Sequence, residues 1–416
     1  MRGKTIFGNA GNAVGASTNP EPLKEIQAMW NNSVADLPAD MVSGTRRNPR
    51  ICIPTARNFT RRAYQCGLYE AQDVLLEVDD VDMLSLDPGR TFRLREKHQK
   101  RFVWHDFTKR LALVNPGLRP IRLTREYDLF IAVCQDFTDL RHVNAIKGWR
   151  DHCRTSVCWI EEFWANMLPC YGNWMRLLEQ FDHVVFAFSK TVGAVSDFTG
   201  RKCHYLPGGV DVVRFSPYPD PPARVIDLCS IGRKWEKVHT ALRNIAGRKD
   251  FFYLYDTFQA SDAQVQDHRQ HREMLANMVK RSRYFLVGPA KMDAPEENQG
   301  QIEVGYRYFE GSAAGAVMLG QAPDCDSFHE MFGWPDAVID IKTDGSDTAD
   351  VLSSLSAQPE RLREISRRNA MEALLRHDWV YRWKQILDIA GLKPAPAMEA
   401  RERRLQQLAE QARREG

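Results

Sequence analysis

The fold of this chain is decided by the stretch Gly300-Gln-Ile-Glu-Val-Gly-Tyr-Arg-Tyr-Phe-Glu-Gly-Ser-Ala-Ala-Gly-Ala-Val-Met-Leu-Gly320. It opens as a glycine-containing loop and continues as a short helix that carries Arg307 and Glu310. It then enters the apolar run Ala316–Leu319, which predicts a buried strand. Small residues between a loop and a buried strand indicate that the backbone passes close to another group, such as a ligand.

Apolar runs and helical segments alternate on both sides of this stretch. The predicted strands are Ile51–Pro54, Val74–Val78, Leu129–Cys134, Ser156–Ile160, His183–Ser189, Cys203–Leu206, Val225–Ile231, Phe251–Tyr255, Tyr284–Val287 and Ala337–Ile341. The predicted helices include Arg57–Tyr69, Leu94–Leu113, Leu140–His152 and Trp164–Phe181. Because the strands are continuous apolar runs, they are typical of parallel sheets covered on both faces. We therefore predict an α/β fold with two Rossmann-like domains whose parallel sheets face a central ligand cleft.

The proline- and glycine-rich segment after residue 207 divides the two sets of strands. We predict an N-terminal extension at 1–49, a first domain at 50–207, a hinge at 208–223, a second domain at 224–392 and a charged tail at 393–416. In the tail, leucines and alanines recur at helical spacing. This pattern leaves two alternatives open, a solvated helix or a helix that contacts a membrane surface or a partner.

Composition narrows the class of protein. The chain has 416 residues, is 43% hydrophobic and 27% charged, and has a formal net charge of +3, so neither disorder nor nucleic-acid binding is expected. No apolar run reaches the roughly 18–20 residues that span a bilayer. The start of the chain lacks a leucine-rich leader, and the nine cysteines form no Cys-x-x-Cys pair. We expect a cytoplasmic protein without a zinc site.

Two loops that flank the interdomain boundary have candidate functional residues. In the hinge, Gly208 and Gly209 allow a turn with positive φ, and Asp211 can cap its own neighbouring backbone. At the end of the strand Val225–Ile231, Gly232-Arg-Lys234 precedes a helix. A glycine, two cations and a helix N-terminus suit an anionic group such as a phosphate, although this short motif alone is weak.

With these loops in view, the chain resembles the GT-B nucleotide-sugar glycosyltransferases of glycosyltransferase family 4. The hinge phrase Pro207-Gly-Gly-Val-Asp211 with Phe215 and Pro217 is similar to the family's Pro-Asn-Gly-Val-Asp-x-x-x-Phe-x-Pro signature. The Gly-x-Arg-x-Phe-Glu segment that ends at Glu310 is similar to the CgeB-like, spore-maturation branch of this family.

This resemblance implies roles for the donor-binding residues. Glu310 would bind the ribose hydroxyls, Arg233 and Lys234 would hold the diphosphate, and Arg307 would brace the loop or reach a phosphate. Family 4 places a second glutamate, facing the transferred sugar, at the position that Ile302 occupies here. The nearest acid is Glu303, one residue out of that register, and we count it among the expected donor-binding residues.

A catalytic base is sought among carboxylates at the ends of strands in the first domain. Glu161 and Glu162 follow the apolar run Ser156–Ile160. One of them would take the proton from an acceptor hydroxyl if burial raised its pKa. The alternative is that the two glutamates simply open the next helix. Asp80-Val-Asp82 imitates an Asp-x-Asp metal motif, but we interpret it as a solvated acidic loop and predict no metal.

The function predicted on these grounds is glycosyl transfer from a nucleotide diphosphate sugar, UDP- or GDP-linked, to an unidentified acceptor without a metal or further cofactor. Two other readings stay open. One is a GT-B scaffold that binds a nucleotide sugar or a partner protein without turnover, and the other is a GT-B-shaped epimerase.

Overall fold

The computed structural model describes residues 49–95, 112–248, 250–258 and 263–414. Within these ranges the strands are β1 (Ile51–Thr55), β2 (Val81–Ser85), β3 (Ile121–Arg122), β4 (Tyr127–Asp136), β5 (Ile146–Lys147), β6 (Cys153–Glu162), β7 (His183–Phe186), β8 (Cys203–Tyr205), β9 (Ile226–Ser230), β10 (Tyr253–Tyr255), β11 (Ser282–Val287), β12 (Val317–Gly320) and β13 (Ile339–Asp340). They form two large parallel sheets and a small ladder of β3 with β5.

Helices connect the strands. The α-helices that lie wholly within the described ranges are α1 (Cys66–Val78), α2 (Leu168–Tyr171), α3 (Ser189–Thr199), α4 (Val212–Phe215), α5 (Glu236–Ala246), α6 (His268–Lys280), α7 (Tyr306–Ala313), α8 (Asp326–Phe332), α9 (Thr348–Ser356), α10 (Pro359–Arg376), α11 (Trp379–Ile389) and α12 (Pro396–Arg414). Short 3₁₀ helices cover Ala63–Gln65, Phe137–Ala145, Ala165–Met167, Gly172–Gln180 and Pro295–Asn298.

The order of strands is β2-β1-β4-β6-β7-β8 in the first sheet and β10-β9-β11-β12-β13 in the second. Every pairing in both sheets is parallel. The predicted α/β class with two Rossmann-like parallel sheets is therefore confirmed. The first sheet also shows why its strands are continuous apolar runs. Ile131 and Trp159 pack into one hydrophobic layer, and Phe130 and Cys158 pack into the layer on the other face.

The last helices of the chain return to the first sheet. The rings of Trp379 and Trp383 lie 5.9 and 5.4 Å from the ring of Trp159 on β6, measured between centroids. Trp383 also donates from Nε1 to the carbonyl oxygen of Ala71 on α1, at 2.8 Å. The helix α12 packs against α10, α11 and α1.

The apolar stripe of the tail is covered by the chain itself. The residues at helical spacing on α12 are all buried, namely Leu405, Leu408, Ala409 and Ala412. The stripe is therefore not available for the membrane or partner contact that the sequence left open. The other alternative, a solvated helix, describes only the polar face of α12, which is exposed.

Two predictions around α1 and β2 are wrong. The predicted strand Val74–Val78 is the last part of α1, and the predicted helix Arg57–Tyr69 begins only at Cys66, after a short 3₁₀ helix. Every residue from Cys66 to Leu75 is buried, so the helix shows no apolar–polar period that would distinguish it from a buried strand.

The acidic segment after α1 is not a solvated loop. Asp79 is buried and accepts hydrogen bonds of 2.8 and 2.6 Å from the guanidinium of Arg50. Asp82 lies in β2 and accepts from the hydroxyl of Tyr127. Both carboxylates therefore have structural partners in the fold.

Other helices differ in length from the prediction. The segment Leu140–His152 has only the end of a 3₁₀ helix followed by β5, and Trp164–Phe181 divides into three short helices. The predicted basic helix Leu94–Leu113 lies mostly outside the described residues.

The two hinge glycines have a different role from the one expected. Neither has a positive φ. A Cβ on Gly209 would lie 2.8 Å from the ring of Trp379, and one on Gly208 would lie 3.1 Å from the ring of Phe309. These positions are glycine because aromatic rings press on the backbone. The predicted cap is confirmed, since the carboxylate of Asp211 accepts from the backbone N–H of Arg214 at 3.2 Å.

Candidate functional site

The start of α7 meets the carboxyl end of β6. Tyr306, the first residue of α7, donates its hydroxyl hydrogen to Oε1 of Glu161 at 2.6 Å. Its ring also touches the first turn of α1, where a Cβ on Gly67 would lie 3.2 Å from the ring. The helix that carries Arg307 and Glu310 is thus in direct contact with the first sheet.

Glu161 has the electrostatic environment of a group that exchanges a proton near neutral pH. Its side chain is buried. Burial raises the pKa of Glu161 to about 7, although hydrogen bonding by the hydroxyl of Tyr306 and the indole of Trp159 lowers it in part. A carboxyl group of this kind is suited to general acid–base chemistry.

Glu162 ends the same strand and points to the opposite face of the sheet. Its Oε1 accepts a hydrogen bond from Nε1 of Trp164 at 2.9 Å. The alternative that both glutamates open a helix is wrong, because β6 includes both of them and the next helix begins at Ala165. Glu161 is therefore the buried carboxyl group, and Glu162 is the one that accepts a hydrogen bond from an indole.

The loop after β9 is organised by Asp256. Gly232 has a φ of +85° and donates from its backbone N–H to Oδ2 of Asp256 at 2.8 Å. Lys234 donates from Nζ to Oδ1 of Asp256 at 2.6 Å and to its carbonyl oxygen at 2.9 Å. Arg233 forms a 2.7 Å ion pair with Asp293, and both side chains are more than a third exposed.

Arg307 joins this loop to α7. Its Nε donates to the carbonyl oxygen of Ile231 at 3.0 Å, and its guanidinium also binds Glu310. A Cβ on Gly232 would lie 3.2 Å from Nη2 of Arg307, so glycine lets the guanidinium lie against the backbone. The structure therefore brings Gly232 and Arg307 together at the carboxyl end of β9.

Glu310 lies at the centre of a buried ionic network. One of its carboxylate oxygens accepts from Arg307 and the other from Arg272 on α6. Burial alone would raise the pKa of Glu310. The two arginines lower it by a larger amount, so the pKa of Glu310 lies below the ordinary value. Both oxygens are thus engaged in this conformation, and the ribose contact stays a prediction.

Arg272 connects this carboxylate to the helix α1. Its guanidinium donates to both oxygens of Glu70 on α1, at 2.9 and 3.0 Å, and lies 4.8 Å from the ring centroid of Phe215. Glu70 in turn accepts from the backbone N–H of Asp211 at 3.0 Å and from Nε1 of Trp379 at 3.1 Å. The hinge, α1, α6 and α11 therefore meet at one carboxylate.

Glu303 is buried away from this network and caps α3. Its carboxylate accepts from the backbone N–H groups of Ser189 and Lys190, at 3.1 and 3.2 Å, and from Nε2 of Gln301 at 2.7 Å. Burial raises the pKa of Glu303 above its ordinary value, and these hydrogen bonds offset only part of the rise. A carboxylate at a helix N-terminus is stabilised there by the unpaired N–H groups.

Sequence reasoning missed Arg272, Glu70, Tyr306 and Asp256. A signal for Arg272 exists, because it lies three, four and seven residues before Leu275, Ala276 and Val279, the buried positions of α6. An arginine in the apolar stripe of a helix needs a buried partner.

The described residues were compared with the requirements of a metal site and of a membrane-spanning helix. In the ranges between 49 and 414 that the structure describes, no group of three or more His, Cys, Asp or Glu side chains is arranged to hold a metal ion. Among the helices of the same ranges, none combines the length and the apolar character that crossing a bilayer requires.

Known proteins resemble this chain in part of its sequence and in its fold. Residues 228–388 match the family described as glycosyl transferase-like. A search of curated proteins found no match. Among solved structures, the α,α-trehalose 6-phosphate synthase of Burkholderia multivorans has a TM-score of 0.50 at 12% identity, over 83% of this chain and 98% of that one.

Two further structures are similar at slightly lower scores. The α,α-trehalose-phosphate synthase (UDP-forming) of Burkholderia vietnamiensis has a TM-score of 0.48 at 14% identity, over 85% of this chain and 99% of that chain. An α-glucosyltransferase solved with UDP and a 13-mer DNA has a TM-score of 0.48 at 12% identity, over 83% of this chain and 100% of that chain. Together with the two parallel sheets, the similarity at a TM-score of 0.50 shows the GT-B fold. Residues 228–388 of the chain are similar to the glycosyl transferase-like family.

Proposed function

We propose that this chain transfers a glycosyl group from a UDP- or GDP-linked sugar to an acceptor hydroxyl at the junction of β6 and α7. The observation that carries the proposal is the 2.6 Å hydrogen bond between Glu161 and Tyr306. The pKa of Glu161 is about 7. Its partner Tyr306 is the first residue of α7, the helix that carries the donor-motif residues Arg307 and Glu310. The match of residues 228–388 to the glycosyl transferase-like family supports the same assignment.

The proposed chemistry assigns a role to each charged group. Glu161 takes the proton of the acceptor hydroxyl while the oxygen of that hydroxyl bonds to the anomeric carbon of the sugar. At the same time the bond from the anomeric carbon to the diphosphate oxygen breaks. Arg233 and Lys234, together with Arg307, stabilise the charge of the departing diphosphate without a metal or other cofactor. Glu310 exchanges one arginine contact for the ribose hydroxyls. Within the superfamily we place the chain with the CgeB-like branch, on the Gly305-to-Glu310 segment.

A cytoplasmic location accompanies this proposal. The nine cysteines are all free thiols, and eight of them are buried. Free thiols in this number are typical of a reducing compartment.

One observation favours a second function, nucleotide-sugar binding without turnover. Each cation expected at the diphosphate already has a carboxylate partner, Asp293 for Arg233, Asp256 for Lys234 and Glu310 for Arg307. A ligand must displace these carboxylates or share their cations.

The test measures binding and turnover separately. Titration calorimetry with UDP, GDP and dTDP gives the nucleotide, and release of the diphosphate from UDP-glucose, UDP-N-acetylglucosamine and GDP-mannose in EDTA gives metal-free turnover. We expect Lys234→Ala and Arg233→Ala to weaken diphosphate binding about tenfold or more, the effect of losing a charge-assisted hydrogen bond. The exposed Lys237→Ala is the matched control. Binding without turnover supports the second function, and absence of both refutes the proposal.

A further inference from the structure

Two carboxylates lie beside cations that the proposed function assigns to the diphosphate, and their contacts differ. Asp256 bonds to Lys234, and Asp293 bonds to Arg233. A bound diphosphate either shares a cation with such a carboxylate or displaces the carboxylate from it. How firmly the fold holds each carboxylate decides between these two outcomes.

The carboxylate of Asp256 is fixed at the edge of the second sheet. The register pairs Tyr255 with Ser230, so Asp256 is the first residue beyond the end of β10. Its Oδ2 accepts from the backbone N–H of Gly232 at 2.8 Å. The φ of Gly232 is +85°, which lies in the left-handed region that favours glycine. The bond therefore joins the loops that leave two neighbouring strands.

Lys234 is held in turn by Asp256. Its Nζ donates to Oδ1 of the carboxylate at 2.6 Å and to the backbone carbonyl oxygen of the same residue at 2.9 Å. The Lys234 side chain is 13% exposed, so this flexible chain is ordered before a ligand arrives. An ammonium group has three hydrogens. Within the part of the chain that the structure describes, two of them go to Asp256, so the third is available to a phosphate oxygen.

A second cation lies against the same loop. A Cβ on Gly232 would lie 3.2 Å from Nη2 of Arg307, whose Nε donates to the carbonyl oxygen of Ile231. The ammonium of Lys234 and this guanidinium are therefore both anchored at the carboxyl end of β9. Cations that are fixed in advance stabilise a departing anion without reorganising during the reaction.

The pair of Asp293 with Arg233 is held less firmly. Oδ1 of Asp293 accepts from Nη1 of Arg233 at 2.7 Å, and the two side chains are 37% and 39% exposed. An ion pair between exposed side chains contributes little free energy, because water solvates both partners and ordering them costs entropy. A diphosphate carries more negative charge than one carboxylate and can therefore replace it on the guanidinium.

We propose that Asp256 is a positioning residue for the donor diphosphate, which stays bonded to Lys234 when the ligand binds, whereas Asp293 is displaced from Arg233. Asp256 acts through the ammonium of Lys234 and does not touch the ligand. The inference rests on the proposed function, because it needs a diphosphate at these cations. It goes beyond that function by giving opposite roles to two carboxylates.

The experiment measures the diphosphate selectivity, which is the affinity for UDP or GDP divided by the affinity for uridine or guanosine, by titration calorimetry. Removing a negative charge beside a cation should by itself favour an anion. We expect the opposite for Asp256→Asn, a loss of about tenfold, because the amide presents N–H groups to one of its two donors and Lys234 is released. Asp293→Asn should raise the selectivity about two- to fivefold. The exposed Asp250→Asn is the matched control for charge and should leave the selectivity unchanged.

A double substitution separates positioning from a general effect on the fold. In a Lys234→Ala background, Asp256→Asn should cause no further loss of selectivity, because the group through which Asp256 acts is gone. Crystals of the wild type with UDP or GDP give a second readout that does not depend on the folding of a variant. We expect Asp256 to stay bonded to Lys234 in the complex and Asp293 to leave Arg233.

Four results overturn the inference. They are a selectivity that Asp256→Asn leaves unchanged or raises, one that Asp293→Asn fails to raise, additive losses in the double variant, and a complex in which Asp256 has left Lys234. All four leave the diphosphate selectivity of the wild type intact, and the proposed function with it. A wild type that binds UDP and GDP no more tightly than their nucleosides refutes the diphosphate site itself, and the inference falls together with the proposed function.

Discussion

Replacing Glu161 by glutamine should stabilise the protein at alkaline pH while it abolishes glycosyl transfer. Glutamine keeps the shape of the side chain and an oxygen that can accept from Tyr306, but it cannot ionise. The ionised form of Glu161 is the one that a buried site disfavours, and it is also the form that would accept a proton.

The size of the effect follows from the pKa of this group. Burial raises the pKa of Glu161 from an ordinary value of 4.5 to about 7. Between these values the unfolded chain releases a proton that the folded protein retains, so the free energy of unfolding falls as the pH rises through this window. At 1.36 kcal/mol for each pH unit, the fall reaches roughly 3 kcal/mol above pH 7. Below pH 4.5 both states are protonated, and the effect vanishes.

Denaturant unfolding of the wild type and the Glu161→Gln variant between pH 5 and pH 8 measures this difference. As the pH rises, the free energy of unfolding of the variant should increase relative to that of the wild type. The rate of glycosyl transfer by the wild type should increase as the pH rises through about 7. Glu162→Gln controls for the loss of one charge at the same end of β6. A stability difference that is the same at pH 5 and pH 8 would refute the reasoning, because Glu161 would then ionise alike in both states.

Three further substitutions test other parts of the structure. Arg272→Met leaves Glu70 and Glu310 buried without their shared guanidinium, so the free energy of unfolding should fall by about 3–5 kcal/mol, against less than about 0.5 kcal/mol for the exposed Arg281→Met. Equal losses in denaturant unfolding would contradict the network. Gly209→Ala places a methyl group against the ring of Trp379 and should cost about 1–3 kcal/mol. Gly193→Ala, in open space on α3, should instead add about 0.5–1 kcal/mol, and calorimetric melting of both variants gives the two signs. Glu303→Ala removes the cap of α3 and should cost about 0.5–2 kcal/mol and speed hydrogen exchange at the amides of Ser189 and Lys190. Unchanged exchange at these two amides would count against the cap.

The parallel sheets could be predicted because burial on both faces leaves a direct trace in the sequence. The strands β4 and β6 are continuous apolar runs, and a run of that kind is short enough to exclude most helices. The helix α1 could not be predicted in the same way. It is also buried on nearly all sides, and the segment Val74–Val78 then looks like another strand.

The candidate site could be predicted only as far as topology determines it. Gly232 and Arg307 come together because the carboxyl ends of parallel strands share one edge of the sheet. The contact of Arg272 with Glu70 joins residues about 200 positions apart, and no spacing in the sequence encodes it. The same holds for the cap that Glu303 places on α3. The roles of these residues toward a donor stay predictions.

The return of α11 and α12 to the first sheet has a consequence for biosynthesis. The ring of Trp159 on β6 is covered by Trp379 and Trp383, which follow it by more than 200 residues. A ribosome adds roughly 5–20 residues per second, so this apolar surface stays exposed on the growing chain for about 10–40 s. During that interval the nascent protein presents a binding surface for chaperones. A chain that ends before Trp379 would leave the ring of Trp159 without this cover, and it would be prone to aggregation or proteolysis.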